Sequence, residues 1–452
     1  MCAVIKNVSA FLSVFSGFHS AEEKKKFSLL ALILGLTIGV YWVFRPIKDS
    51  VFLTMVGAHY QPWAKMLSMV VIAGVVLIYS KIIDIFPRHK VLYGLSLFYA
   101  LSSVVFALLL FDPHIGIANT VENPHRYVGW LFYLFVESFG STMVALFWSF
   151  VSDTTTPESA KRGYSLIMFG AQTGGVIFPL MSKFIMRYQS TGAGLLVCVV
   201  GICLIPLAVW YFMGHISERE MQGFHGVAED KKECDVSEKP SLRFLDGLKL
   251  FIKSPYILGI FIVVSFYEIL ITLIDFQFKC LAKTWYTGDA LTDYLTNYAI
   301  FTNAIAVLCI VFGAKRIAYR LGLTRTLLLL PLVVGISTIV LSLGQWLGLA
   351  LGIMVMCKSV NYSLNQPSKE QLYIPTSTDS KYKAKAWIDM FGTRCSKGLS
   401  SYFNTLRPMI GASHFAFLSL ILAAGLLSIW VLVALFLGKT HAKALKENHV
   451  IC

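Results

Sequence analysis

The sequence predicts an all-α integral membrane protein with about twelve transmembrane helices in a six-plus-six arrangement. Of the 452 residues, 56% are hydrophobic and only 14% are charged, too few polar groups for the surface of a soluble protein. Apolar runs of spanning length recur along almost the whole chain, and the mean hydropathy is +0.67. These observations exclude a soluble, a disordered and a secreted disulfide-rich protein, as well as an enzyme held by one membrane anchor.

The formal net charge of +14 reflects topology rather than a nucleic-acid partner. Basic residues sit between the apolar spans and form no patch interleaved with aromatic residues, so we expect no bound nucleic acid. Most of the nine cysteines lie inside apolar runs, where a thiol behaves as a small hydrophobic group. We therefore expect no disulfide framework, no metal site and no cofactor.

Twelve apolar segments are long enough to cross a bilayer, which takes roughly 17–25 residues in a helix. The first follows the three consecutive lysines Lys24 to Lys26, and it is too long for a signal-peptide core, so we expect it to remain as the first helix. The predicted spans are 27–46, 64–84, 90–111, 127–152, 163–185, 192–214, 256–280, 294–314, 325–343, 345–366, 386–406 and 413–437.

An even number of spans puts both ends of the chain on one side of the membrane. Most of the 39 Lys and Arg residues then fall on the side that holds the N-terminus. Because positively charged loops stay in the cytoplasm, we expect both termini there.

A long polar stretch, 217–254, divides the chain into two halves of six spans. The predicted domains are an N-terminal six-helix bundle at 1–216, a cytoplasmic linker at 217–254 and a C-terminal six-helix bundle at 255–452. Transporters of the major facilitator type share this plan and bind substrate near the membrane midplane, where the halves face each other. The sequence contains no convincing internal repeat that would relate the two halves.

Charged residues inside the spans are the strongest functional signal, because each costs about 2.5–3.5 kcal/mol at a helix centre. At the end of span one, Arg45, Lys48 and Asp49 are spaced to share one helix face, and Pro46 is expected to kink the helix. This face could offer cations to a phosphate. Alternatively, Arg45 and Lys48 reach the membrane interface beside Trp42.

Spans four and seven carry acidic residues. Glu137 has no basic residue within reach on its own helix, so its partner must come from another helix or from water; alternatively, it is buried as a neutral acid. In span seven, Glu268 and Asp275 lie seven residues apart on one stripe. Lys279 follows Asp275 at the four-residue spacing of an ion pair, which we expect to form in the resting protein.

Span eleven begins with a series of cations. Lys383 and Lys385 precede its apolar part, Asp389 lies four residues after Lys385, and Arg394 and Lys397 lie one and two turns inside. Lysines of a loop are ordinarily positive-inside charge, but that explanation fits Arg394 and Lys397 poorly.

The cations of spans one and eleven and the carboxylates of spans four and seven are expected to face one central cavity. Fixed Lys and Arg side chains there would replace the water that a polyanion loses on binding. The carboxylates would neutralise the lysines when the site is empty, which gives the cavity two alternative pairings and a reason to move.

These motifs resemble those of the ATP/ADP translocases of plastids and obligate intracellular bacteria, and the resemblance covers nearly all twelve spans. As an ordered set the motifs are specific, although each alone would be weak. They are R-P-I-K-D-S from Arg45, E-S-F-G-S from Glu137, L-I-D-F-Q-F-K from Leu273, N-Q-P-S-K-E-Q-L-Y-I-P from Asn365 and K-Y-K-A-K-A-W-I-D from Lys381.

The resemblance implies a nucleotide transporter of a bacterial inner membrane. It implies roles in exchange for Lys48, Glu137, Asp275 and Lys385, with Lys383 and Lys397 as further matches. Of the other charged residues, we expect Arg45 and Arg394 to bind substrate, and we expect pairing or gating from Asp49, Glu268, Lys279 and Asp389.

Three positions depart from the family pattern: Asp275 stands where Glu is common, Phe278 where Trp is common, and Asn365 where an Asp is common ahead of the proline. The resemblance implies ATP-for-ADP exchange and leaves open an NAD/ADP antiporter or a broader GTP and UTP importer, with or without proton coupling. NAD carries about two negative charges, so it would need fewer cations than ATP. The expected partners are a nucleotide substrate, a counter-substrate and the lipid bilayer, and we expect a monomer.

Two other classes fit the sequence less well. A membrane-embedded enzyme would need a convergent nucleophile and base or a metal cluster, and no H-E-x-x-H, G-x-S-x-G or P-loop spacing occurs. A channel would be expected to repeat a shorter unit around a filter, unlike twelve dissimilar spans. We therefore expect a transporter that is not an enzyme.

Overall fold

The computed structural model describes residues 18, 20–217, 221, 254–312, 314–343, 346–373, 375–376 and 385–447. Within these ranges the chain is almost entirely helical and contains no β-strand. Most of the predicted linker and the predicted site residue Lys383 lie outside the described residues.

Each of the twelve predicted spans coincides with a helix of the described residues, whose ends lie up to about 11 residues from the predicted ones. We number the helices by span: α1 (Ala21–Met55), α2 (Gln61–Ile85), α3 (Arg88–Phe111), α4 (Tyr127–Thr154), α5 (Pro157–Met186), α6 (Thr191–His215), α7 (Pro255–Trp285), α8 (Gly288–Phe312), α9 (Ala314–Leu343), α10 (Leu347–Val360 and Gln366–Leu372), α11 (Lys385–Trp387 and Thr393–Asn404) and α12 (Ala412–Glu447).

Ten of the helices in the described part of the chain are long and apolar enough to cross a membrane. The two others are α8, whose first turns carry Asp289 and Asp293, and α11, which is short and rich in polar residues. Helix α1 continues through Pro46 and begins with a side-chain cap, in which the Ser20 hydroxyl accepts a hydrogen bond from the Glu23 N–H at 2.8 Å.

Three helices of the C-terminal part are interrupted. Helix α9 is broken at Gly322, whose φ of 73° lies in the left-handed region that favours glycine. Helices α10 and α11 each contain one π-helical turn, at Asn361–Asn365 and Ile388–Gly392. Such turns widen the helix by one residue and are frequent at functional sites.

Small residues let α1 and α5 approach closely. A Cβ added at Gly174 would lie 2.0 Å from the carbonyl oxygen of Gly35, and one at Gly170 would lie 2.4 Å from that of Ala31. The contacts advance together along both helices, so α1 and α5 run parallel. Close backbone approach of this kind drives helix association in lipid, where hydrophobic burial contributes little.

Helix α4 packs against α1 in the opposite direction. A Cβ added at Gly140 would lie 2.4 Å from the ring of Tyr41, and one at Gly129 would lie 2.7 Å from a methyl group of Val56. Residue numbers thus rise along α1 as they fall along α4. This antiparallel register brings the last turns of α1 beside the first half of α4.

The described residues form two compact units. The first unit comprises the described residues of Met1–Ala58, Val70–Asp235 and Lys283–Phe312, and the second those of His59–Met69, Val236–Ala282 and Gly313–Cys452. Helix α8 therefore belongs to the first unit and the first turns of α2 to the second. The predicted division of the chain at 217–254 stays a prediction.

Polar contacts hold the start of α8 within the first unit. The Ser50 hydroxyl donates a hydrogen bond to the Gly288 carbonyl oxygen at 3.0 Å, and the Gly288 N–H donates one to the Thr54 hydroxyl at 3.1 Å. A carboxylate oxygen of Asp289 accepts hydrogen bonds from the N–H and the hydroxyl of Thr191, at 2.9 and 2.5 Å. These contacts join α8 to α1 and α6.

Candidate functional site

In the first unit, Lys48 of α1 forms an ion pair with Glu137 of α4. The Lys48 ammonium donates a hydrogen bond to Glu137 Oε1, and the two side chains are 4% and 24% exposed. The Asp49 carboxylate lies 3.8 Å from the same ammonium, which also lies 4.4 Å from the centre of the Tyr133 ring. Of the two partners expected for Glu137, a residue of another helix or water, the structure shows the former.

Aromatic packing fixes the level at which this pair forms. The Phe52 ring stacks edge-on against Trp130 and Tyr133, with ring centres 5.1 and 5.2 Å apart. Phe44 packs in the same way against Phe139 at 5.2 Å. These contacts lie on both sides of Lys48 along α1, so the lysine and its partner are held between fixed layers. Removing one member of a buried pair costs about 3–5 kcal/mol, because it leaves the other charge uncompensated.

Arg45 lies one turn before Lys48 and is half-buried. Its guanidinium carbon lies 5.3 Å from the centre of the Trp42 ring, in reach of a cation–π interaction. This contact agrees with the alternative in which Arg45 packs beside Trp42. A role of Arg45 in binding substrate stays a prediction.

In the second unit, two lysines approach one carboxylate oxygen of Asp275. The Lys279 ammonium lies 2.6 Å from Asp275 Oδ2, as the four-residue spacing predicts. The Lys65 ammonium of α2 lies 3.9 Å from the same oxygen. The side chains of Asp275 and Lys279 are 6% exposed, whereas that of Lys65 is 26% exposed.

A second carboxylate of α7 lies two turns before Asp275. Glu268 Oε2 lies 3.5 Å from the ammonium of Lys397 on α11. Next to Glu268, the Tyr267 ring lies 5.9 Å from the ammonium of Lys358 on α10, which is buried. Arg394 is half-buried on α11, one turn before Lys397. The predicted stripe of acids on α7 therefore contacts cations of two other helices.

The charges at the start of α11 pair with α10 rather than with each other. Lys385 lies 2.5 Å from Glu370, and Asp389 lies 2.9 Å from Lys369. The Lys385 ammonium also lies 5.8 Å from the Tyr373 ring. The spacing of Lys385 and Asp389 suggested contact along one helix. The π turn that starts at Ile388 departs from the α-helical register on which that expectation depends.

Sequence reasoning missed four charged residues of these clusters: Lys65, Lys358, Lys369 and Glu370. One available signal was the position of Lys358 inside the apolar run of α10, where a lysine is costly. For Lys65, near the start of α2, the sequence offers no signal that separates a flanking lysine from a paired one.

Each cluster contains lysines held by carboxylates inside or beside apolar helices. Such a pair is stable while closed, because each charge compensates the other in a low dielectric. A mobile anion could replace the carboxylate, which would give the lysine two alternative partners. The arrangement suits reversible capture of an anion.

Solved structures of major facilitator-type transporters have the same fold. The POT family transporter PepTSo aligns with a TM-score of 0.60 and 13% identity, over 92% of this chain and 98% of its own. The nucleoside transporter NupG aligns with a TM-score of 0.54 and 11% identity, over 92% and 98%. At these identities the likeness shows the fold alone, and it confirms the predicted major facilitator-like arrangement.

Two bacterial relatives resemble the chain over most of its length. The ADP,ATP carrier protein 1 of Chlamydia trachomatis is 24% identical, over 96% of this chain and 92% of that protein. The ADP,ATP carrier protein 1 of Rickettsia conorii is 27% identical, over 86% and 88%.

A sequence model of one family, described as TLC ATP/ADP transporter, matches residues 3–345 and 339–441. The match includes both units and all of the charged clusters described above. This multi-pass membrane protein therefore belongs to the TLC ATP/ADP transporter family.

Proposed function

We propose that this chain exchanges ATP/ADP-type nucleotides across a membrane by alternating access. The observation that carries the proposal is the buried Lys48, held by Glu137 from another helix. A lysine in this setting is retained only where a charge is needed, because its burial is costly. The names of the Chlamydia and Rickettsia relatives support nucleotides as the substrate.

In this mechanism Lys48 exchanges partners. In the empty transporter its ammonium is bound to Glu137. A phosphate group of the nucleotide displaces the carboxylate and accepts the hydrogen bond instead, while Arg45 adds a second cation one turn earlier. The released Glu137 then contacts the ribose or base, or takes part in closing the site. Asp49, 3.8 Å from the ammonium, remains beside Lys48 as a second counter-charge.

The second unit supplies the remaining charges. We assign phosphate contacts to Lys385, Lys397 and Arg394, and Lys383 belongs with them by its place in the sequence. Asp275 recognises the ligand or takes part in gating the transporter. Glu268, Lys279 and Asp389 act as ion-pair partners that neutralise these cations between transport steps. That the clusters of both units serve one cavity stays a prediction.

The proposal extends to location and chemistry. The protein lies in a bacterial inner membrane with both termini in the cytoplasm, in accord with the bias of Lys and Arg between spans. It acts as a monomer and returns the nucleotide chemically unchanged.

Asp275 supports a second candidate substrate, NAD in exchange for ADP. The short aspartate lies 2.6 Å from Lys279, so the cation nearest to it on α7 is already paired. A ligand with about two phosphate charges would need less of the remaining positive charge than ATP does. The test of the main proposal also decides this alternative.

The test is uptake of labelled ATP, GTP, UTP and NAD into liposomes that contain the purified protein. Each label is offered to liposomes loaded with ADP, ATP, phosphate or buffer alone, with and without a pH gradient. We expect rapid uptake of ATP only with an internal adenine nucleotide, and recovery of the label as ATP. Uptake into buffer-loaded liposomes would contradict exchange, and preference for NAD would establish the second candidate.

A further inference from the structure

We propose that Lys65 is a phosphate-binding residue of the transporter and that it pairs with Asp275 when no nucleotide is bound. This inference rests on the proposed nucleotide exchange and adds a ligand from α2, a helix without any other assigned site residue. The observation behind it is that two lysines share one carboxylate oxygen, Asp275 Oδ2, at unequal distances.

The two lysines differ in how firmly they are held. Lys279 lies 2.6 Å from the oxygen, on the same helix as Asp275, and is almost completely buried. Lys65 lies 3.9 Å away, on another helix, and a quarter of its side chain is exposed. At 3.9 Å the contact is electrostatic and too long for a hydrogen bond. Lys279 is therefore the structural partner of Asp275, and Lys65 is the cation that can move to a ligand.

The position of Lys65 also separates it from an ordinary flanking lysine. A flanking lysine extends toward lipid headgroups, whereas the Lys65 ammonium turns toward a carboxylate that is almost fully buried. One turn later, the Met69 sulfur lies 3.2 Å from where a Cβ at Gly398 would be, so this part of α2 packs against α11. Gly398 is the neighbour of Lys397 in the chain. The first turns of α2 are thus fixed within the charged region of the second unit.

Charge complementarity identifies the ligand as a polyphosphate group. Lys65 and Lys279 bring two positive charges to Asp275 Oδ2, and the carboxylate supplies one negative charge. A region of this composition gains by taking up an anion with several oxygens, because both cations can then be satisfied at once. Each added phosphate brings negative charge and acceptor oxygens, so the contribution of Lys65 should grow with their number.

The experiment compares nucleotides that differ only in phosphate number. For the Lys65→Gln variant in liposomes, we expect KM for ATP to rise about tenfold and KM for ADP to rise less, with little change in kcat. The inhibition constant Ki of AMP against ATP uptake should stay unchanged. A purely structural role of Lys65 would alter the constants for ATP, ADP and AMP alike, or would alter kcat alone. Either result would overturn the inference. Lys81→Gln, which changes an exposed lysine of the same helix, is the matched control.

A second variant tests the role of Asp275. In Asp275→Glu the carboxylate reaches one methylene farther, so it should hold Lys65 more tightly and compete with phosphate for it. We expect this change to raise KM for ATP in the parent protein and to have no further effect in the Lys65→Gln background. An equal rise in both backgrounds would overturn the competition between Asp275 and the ligand.

The failure of this inference can be told apart from failure of the proposed function. If the unaltered protein takes up no nucleotide at all, the proposed function fails. Binding of inorganic tripolyphosphate to purified protein, read as a rise in Tm, then still tests Lys65. If the unaltered protein exchanges ATP but Lys65→Gln does so with the same KM, only the inference fails. Thermal unfolding of each variant in detergent, with Lys65→Arg alongside, shows whether the protein is folded.

Discussion

The ammonium of Lys48 donates a hydrogen bond to Glu137 across the α1–α4 interface, although 89 residues separate the two in sequence. The pair sits between layers of aromatic rings, with Tyr133 directly against the lysine. In such surroundings neither charge is stable alone. In the proposed mechanism this pair persists until a phosphate replaces the carboxylate as the partner of Lys48.

The first prediction concerns loss of this lysine. Lys48→Ala removes a cation that contacts phosphate in the proposed mechanism, so we expect ATP exchange to fall by about 10- to 100-fold. Glu137→Gln should still allow nucleotide to bind, but Lys48 then lacks its carboxylate partner in the empty transporter. We therefore expect kcat to fall more than KM rises. Uptake into liposomes and Tm in detergent measure these effects.

Lys24→Ala is the control for the first prediction, because Lys24 is an exposed lysine of the same helix. It should exchange ATP as the unaltered protein does. Normal exchange by a folded Lys48→Ala protein would remove Lys48 from the site.

The second prediction concerns the pair that joins α10 and α11, each of which contains a π turn. Lys369, just after the π turn of α10, lies 2.9 Å from Asp389 within the π turn of α11. Lys369→Asp or Asp389→Lys alone puts two like charges together and should lower both Tm and exchange. The double variant Lys369→Asp/Asp389→Lys restores the attraction. Comparison of the unaltered protein, the two single variants and the double variant should give a coupling energy of about 0.5–3 kcal/mol.

Glu122→Gln serves as the control for this cycle. It removes a largely exposed acid that lies 2.5 Å from Lys283, and such pairs contribute about 0–1 kcal/mol. Should the double variant be no better than the single ones, Lys369 and Asp389 do not act as a pair.

The helices and the membrane class followed from the sequence because both depend on local composition. Long apolar runs had to be helices, since only helices and closed barrels satisfy the backbone in lipid. Glu137 stood out for the same reason: an acid inside such a run is costly wherever it points. The identity of its partner could not follow, because it depends on the packing of α1 against α4 through Tyr41, Gly140 and Val56.

The pairing in α11 shows where local rules fail. The four-residue spacing of Lys385 and Asp389 predicts contact only if the helix keeps its α register, and a π turn begins at Ile388. Lys385 instead contacts Glu370 on α10. Nothing local marks such a turn, since it depends on the fit between neighbouring helices. Lys65 was missed for a related reason, because its contact with Asp275 exists only in the folded second unit.

The third prediction concerns the close approach of α1 and α5. In Gly174→Ala the new Cβ would lie 2.0 Å from the Gly35 carbonyl oxygen, and both atoms belong to rigid helix backbones. The helices must separate, at a cost of about 1–3 kcal/mol or more, so we expect a lower Tm and poor membrane expression. Gly74→Ala is the control: a Cβ there meets no atom within 4 Å, so Tm should be unchanged or higher. Equal Tm values for the two variants would show that the α1–α5 contact is loose.

The last prediction concerns the loop between α3 and α4, in which one arginine side chain bonds four carbonyl oxygens. The Arg126 guanidinium donates hydrogen bonds to the carbonyl oxygens of Ile115, Gly116 and Asn119, each at 2.7 Å, and to that of Val121 at 3.1 Å. No other side chain offers five donors in a fixed plane, so even Arg126→Lys should replace only part of this set. We expect hydrogen exchange of the backbone N–H groups of 112–126 to become faster in Arg126→Gln than in Arg126→Lys, with no change in α5.

His125→Ala, an exposed neighbour, should leave the exchange rates as they are. If the loop stays protected in Arg126→Gln, its own backbone turns hold it and the guanidinium is dispensable.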